Sequence, residues 1–67
     1  MSAEKFYWQG KNLFDQENYE EALKQFQLAL KQEQHHTPGL YGRALTYFKL
    51  QRFQESIQDF DSLINLV

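Results

Sequence analysis

Apolar side chains along this chain recur at helical steps. Phe6, Tyr7, Leu13 and Phe14 form one set. Ala22, Leu23, Phe26, Ala29 and Leu30 form a second; Leu40, Tyr41, Leu45 and Phe48 a third; Ile57, Phe60, Ile64 and Val67 a fourth. A spacing of three to four residues puts each set on one face of an α-helix, and no strand-like alternation persists anywhere. The pattern predicts a first helix from about Ala3 to Gln16 with Ser2 as N-cap. A second runs from about Tyr19 to Glu33, with Asn18 as cap and Glu21 completing a capping-box pattern. The third starts with Thr37 as N-cap and Pro38 as first helical residue, where a missing N–H does no harm, and ends near Leu50. The fourth runs from about Phe53 to the end of the chain, and Arg52 is a poor cap for it. The links are short and polar, which forces sequential helices to lie antiparallel. The fold class is all-α.

Positions n and n+34 match. Identical pairs are Tyr7 and Tyr41, Phe14 and Phe48, Glu21 and Glu55, and Phe26 and Phe60. Conservative pairs are Tyr19 and Phe53, Leu23 and Ile57, Leu30 and Ile64, Ala22 and Ser56, and Gly10 and Ala44. Small residues therefore recur beside large ones. Two helix axes approach within about 8–10 Å only where the facing residues allow it. Gly10, Ala22, Ala44 and Ser56 are the expected close-contact points, with aromatics filling the space to either side.

With this period the chain resembles the tetratricopeptide repeat family, whose pattern is W-x2-L-G-x2-Y, then A-x3-F, then a closing proline. The first copy supplies Phe6, Gln9, Gly10, Leu13, Ala22 and Phe26; the second supplies Leu40, Arg43, Ala44, Tyr47, Ser56 and Phe60. Gln9 and Arg43 replace the family's leucine, and Gln34 stands where the proline would close the first repeat. The resemblance implies a single domain over residues 1–67, with repeats at about 3–36 and 37–67. It also implies a right-handed superhelical stack of two antiparallel hairpins.

Sixty-seven residues make a small domain whose core is marginal without outside help. Cysteine is absent, so disulfides and thiolate metal sites are excluded. Neither a signal-peptide pattern nor an apolar run of about 20 residues is found, so a cytoplasmic protein without a membrane span is expected. Met1 argues against truncation at that end. Net charge is -2, with four Lys against six acidic residues in 1–36 and three against three in 37–67. No basic stripe offers itself to a nucleic-acid backbone, although helical-hairpin repeats of similar length do read single-stranded RNA. His35 and His36 are expected as solvated turn residues, and Ser2, Ser56 and Ser62 have no His or Asp partner at a motif spacing. Glu20 and Glu21 suit the positive end of a helix dipole. Gly39 and Gly42 belong to a helix start, not to a phosphate loop. The expectation is a non-enzymatic protein with no cofactor and no metal.

The family resemblance implies a concave groove lined by the first helix of each repeat. Its positions here are Tyr7, Lys11, Phe14 and Asp15, then Tyr41, Leu45, Phe48 and Lys49. Residues 7, 11, 14 and 41, 45, 48 both follow i, i+4, i+7. Such a groove, largely aromatic with two lysines, suits a peptide or helix with apolar anchors and some negative charge. Packing between adjacent helices explains the same aromatics equally well. Relatives that clamp an acidic chaperone tail use a Lys, an Asn four residues on and an Asn in the next repeat. Tyr7, Lys11 and Gly42 stand at those positions and none agrees. Trp8 faces away from the hairpin seam, and covering the edge of its helix is preferred over anchoring a partner.

The last helix raises a separate expectation. By the repeat rule Ile57, Phe60 and Ile64, joined by Val67, should pack on a third hairpin. Three explanations stand: the chain is a fragment of a longer array, it forms a homo-oligomer through this face, or the fourth helix is itself a cap with Gln58, Asp59, Asp61 and Asn65 as its wet side. Ile57 and Ile64 off the stripe of Ser56 and Leu63 weaken the last. A missing partner or self-association is favoured, with the partner itself unidentified.

Overall fold

A computed structural model describes residues 2–66. They form four α-helices: α1 Ala3–Asp15, α2 Tyr19–Gln32, α3 Thr37–Lys49 and α4 Phe53–Leu66. Among the described residues there is no strand. Val67, assigned to the open face of the fourth helix, lies outside them. The helices make a thin plate of 28 × 27 × 14 Å. α1 packs on α2 and α3 on α4, α2 joins the two hairpins by packing on α3, and α1 touches α3 across the shared face. α4 packs on α3 and, among the described residues, on no other helix. Each hairpin therefore meets only its neighbour, as in a helical solenoid.

The turns inside the two hairpins are copies of each other. Glu17 and Gln51, equivalent positions in the two repeats, have φ of 62° and 63°. Around them Asn18 N–H donates to Leu13 O at 2.9 Å and Glu17 N–H to Phe14 O at 2.9 Å. The second turn repeats this with Arg52 to Tyr47 at 2.8 Å and Gln51 to Phe48 at 3.0 Å. This is the Schellman ending, which satisfies the last helical carbonyls and reverses the chain. Arg52, one residue beyond, lies over the Tyr47 ring at 4.9 Å and pairs with Glu55 at 2.6 Å. A weak N-cap is thus also the residue that seals the turn.

The helix starts depart from expectation. Ser2 and Asn18 occupy N-cap positions, but neither side chain makes a capping hydrogen bond. The cap of α3 is His36, not Thr37: its Nδ1 accepts the Gly39 N–H at 3.0 Å, and Thr37 and Pro38 already lie in the helix. His36 is buried, with its ring 5.9 Å from that of Tyr7, so only His35 is a solvated turn residue. The imidazole takes the capping role expected of the threonine hydroxyl and packs its ring beside Tyr7 at the same time.

The seam between the hairpins is built on one ring. Phe26 of α2 is 1% exposed. A Cβ placed on Gly10 of α1 would meet its Cε1 at 2.8 Å, and one on Gly42 of α3 would meet the same atom at 2.6 Å. The edge of the ring is wedged between two helices, and each can come that close only because it carries no side chain there. Gly10, Ala22, Ala44 and Ser56 are all buried, as their spacing predicts. Ser56 adds a hydrogen bond, donating Oγ–H to the Ala44 carbonyl at 2.8 Å.

Arg43, which replaces the family leucine, grips Asp59 through two bonds of 2.7 and 2.8 Å. Asp59 is 5% exposed, so it is not part of a wet side of α4. The carboxylate is tolerated in this interior because the guanidinium forks onto both its oxygens. The bond to Asp59 raises Arg43 above its ordinary pKa despite partial burial. The equivalent pair in the first hairpin is Gln9 and Gln25. There Gln9 is exposed, and Gln25 Oε1 is buried with no hydrogen-bond partner.

Candidate functional site

The helical faces of α1 and α3 meet beside the Phe26 wedge and leave a cleft of about 210 Å³. Tyr7, Lys11, Phe14 and Asp15 line it from α1, Tyr41, Gly42 and Leu45 from α3, and Phe26 from α2. The walls exist because α1 and α3 run side by side, each placing residues i, i+4 and i+7 on the same side. Of the eight groove positions expected from sequence, the fold brings Tyr7, Lys11, Phe14, Asp15, Tyr41 and Leu45 to one cleft. Phe48 and Lys49 lie outside its lining. Phe48 instead meets Phe53 edge-on at 5.5 Å, as Phe14 meets Tyr19 at 5.2 Å. That pairing braces each hairpin near its turn.

The cleft is chiefly apolar. Its one cation, Lys11, is paired with Asp15 at 3.2 Å one helical turn on. Both side chains are solvent-exposed, so the pair is weak and can be exchanged for another partner. Tyr41 is 53% exposed and forms the rim, whereas Tyr7 is half-buried against Phe26 and His36. The volume is below the roughly 300–1,000 Å³ of small-molecule sites and suits one inserted side chain better than a whole cofactor. A second, more open hollow of about 330 Å³ lies between the inter-hairpin turn and the end of α4, lined by Gln34, His35, Leu40, Arg43, Ser62, Asn65 and Leu66. Among the described residues, no three His, Cys, Asp or Glu side chains gather to hold a metal ion. Among the same residues, no helix is long and apolar enough to cross a membrane.

Two contributions escape sequence reasoning. Spacing places Gly42 only at a helix start, yet it forms part of the cleft wall and receives Phe26. It places His36 in solvent, yet the imidazole holds the start of α3 against Tyr7. The repeat itself carries a signal for the second, because the position equivalent to Ser2 in the next copy is His36.

Residues 1–62 match the family described as anaphase-promoting complex, cyclosome, subunit 3. The chain belongs to this family. Its repeats are of the tetratricopeptide type, and the four helices form a fragment of a helical solenoid. Repeats of this type act in protein–protein interaction, bind protein partners and are generally non-enzymatic. No curated protein and no solved structure matches the chain.

Proposed function

We propose that this protein binds a segment of a protein partner in the cleft between α1 and α3. The carrying observation is the convergence of Tyr7, Phe14, Tyr41 and Leu45 around one opening floored by Phe26. An apolar side chain of the partner enters between Tyr7 and Tyr41, and the flanking chain runs along α1 and α3. Lys11 contributes charge attraction only where a partner carboxylate displaces Asp15. A family described as a subunit of a multi-protein complex supports a protein as the guest. Two hairpins offer little contact area, so affinity rests on the inserted anchor.

The test is selection of a displayed peptide library on the wild-type protein, followed by titration of the selected peptides against Tyr41→Ala and Leu45→Arg. Tyr41 is exposed enough for its loss to spare the fold, and a tyrosine anchor of about 2 kcal/mol corresponds to roughly thirtyfold in affinity. Equal affinity for both variants, with helicity by circular dichroism intact, would remove the cleft as the site.

A second reading is association through α4. Ile57 and Ile64 are 58% and 67% exposed, and Phe60 is only half-buried. A helix from elsewhere would cover them, the homo-oligomer being one form of this. Ile64→Lys should weaken such association while leaving a peptide in the cleft undisturbed.

A further inference from the structure

Arg43 uses only one edge of its guanidinium inside the protein. Its Nε–H and one N–H of Nη2 go to the two oxygens of Asp59, at 2.7 and 2.8 Å. An arginine carries five N–H donors in a flat fork. The end edge, formed by Nη1 and the second N–H of Nη2, makes no hydrogen bond among the described residues. That edge can accept a second carboxylate in the same two-pronged way as the first. Asp59 fixes the direction of the fork, and the Tyr47 ring lies 5.8 Å from the guanidinium carbon. Asp59 is buried, whereas the Arg43 side chain is 26% exposed. A solute therefore reaches the cation and not the anion behind it.

The accessible part of Arg43 lines the hollow of about 330 Å³ between the inter-hairpin turn and the end of α4. Around it stand Gln34 and His35 from the turn and Asn65 from α4, all exposed and without a hydrogen bond among the described residues. Leu40 and Leu66 add apolar wall. The lining holds one cation and no anion. The cleft between α1 and α3 is elsewhere: Arg43 is two positions from both Tyr41 and Leu45, which is about 200° around α3. The first hairpin has no counterpart, because Gln9 and Gln25 stand where the second has Arg43 and Asp59.

We propose that this hollow binds an acidic side chain of a protein partner. The guest carboxylate accepts from the end edge of Arg43, and its methylenes lie against Leu40 and Leu66. Gln34, His35 and Asn65 surround the oxygens with further donors. Because Asp59 already shares the guanidinium, a singly charged carboxylate is preferred to a doubly charged phosphate. The site rests on the binding of protein partners by this repeat type, and not on the cleft.

The experiment titrates the full chain with the peptide N-acetyl-glutamyl-leucinamide at millimolar concentration, followed by nuclear magnetic resonance. The Arg43 Nε–H signal and the methyl signals of Leu40 and Leu66 should shift. The glutaminyl counterpart, equal in shape but uncharged, should leave them in place, and inorganic phosphate should bind more weakly. Replacing Arg43 and Asp59 together by leucine removes the fork without stranding a buried carboxylate. Binding should then weaken at least about tenfold, as expected for hydrogen bonds to a charged group. Ser62→Glu, at an exposed position of the lining, leaves the ion pair intact and offers a competing carboxylate; it should weaken binding as well, and it decides alone if the double variant loses helicity. Tyr41→Ala, which tests the cleft, should change none of these shifts. Equal binding of the glutaminyl peptide or of phosphate, or undiminished binding by the folded variants, would overturn the proposal.

Discussion

Substituting Gly42 by alanine separates the packing argument from helix propensity, because the two act with opposite sign. In the interior of a helix, glycine to alanine favours folding by about 1 kcal/mol. Here the added Cβ would sit 2.6 Å from Phe26 Cε1 and 2.7 Å from Cζ, well inside normal carbon contact. Retreat toward α1 is narrow, since the same edge of the ring lies 2.8 Å from where a Cβ on Gly10 would be. Overpacking of this kind costs about 1–3 kcal/mol, and a ring gripped on two sides belongs at or beyond the upper end. Gly42→Ala should therefore destabilise the protein by about 1–2 kcal/mol net. A domain of this size has only about 3–10 kcal/mol of stability in total, so the melting temperature should fall by about 5–15 °C. Urea unfolding followed by far-ultraviolet circular dichroism measures this. Phe26→Leu in the same background should recover part of the loss, giving a coupling of about 1 kcal/mol or more in a double-mutant cycle. A neutral or stabilising Gly42→Ala, or strictly additive effects with Phe26→Leu, would refute the wedge.

Two further outcomes follow from single contacts. Arg43→Ala strands the Asp59 carboxylate in a buried place and should cost about 2–4 kcal/mol. Replacing both residues by leucine should return close to wild-type stability in the same urea assay, because a paired charge and a packed apolar pair are near equivalents. Glu17→Gly and Gln51→Gly should each stabilise by up to about 1 kcal/mol, since a side chain at positive φ is strained and glycine is not. A loss of stability at either position would mean that the side chain makes a contact outweighing that strain.

The period of the apolar residues is enough to predict four helices, their antiparallel pairing and the small residues at the seams. These depend on which residues lie one helical turn apart, and that spacing is a property of the chain itself. Six of the eight groove positions also come together, because residues one helical turn apart on two helices lying side by side share a side. The tertiary structure decided the rest. Whether Phe48 lines the cleft depends on how α3 sits against α1, which no spacing along α3 contains: Phe14, braced by Tyr19 as Phe48 is by Phe53, does line it. Asp59 reads as a surface carboxylate until Arg43 reaches it from another helix. The second role of Gly42 is of the same kind. A missing side chain at a helix start is legible in sequence, but its necessity lies in a phenylalanine from a different helix. Spacing along a helix fixes which face a residue occupies; what that face meets is fixed only when the hairpins close on each other.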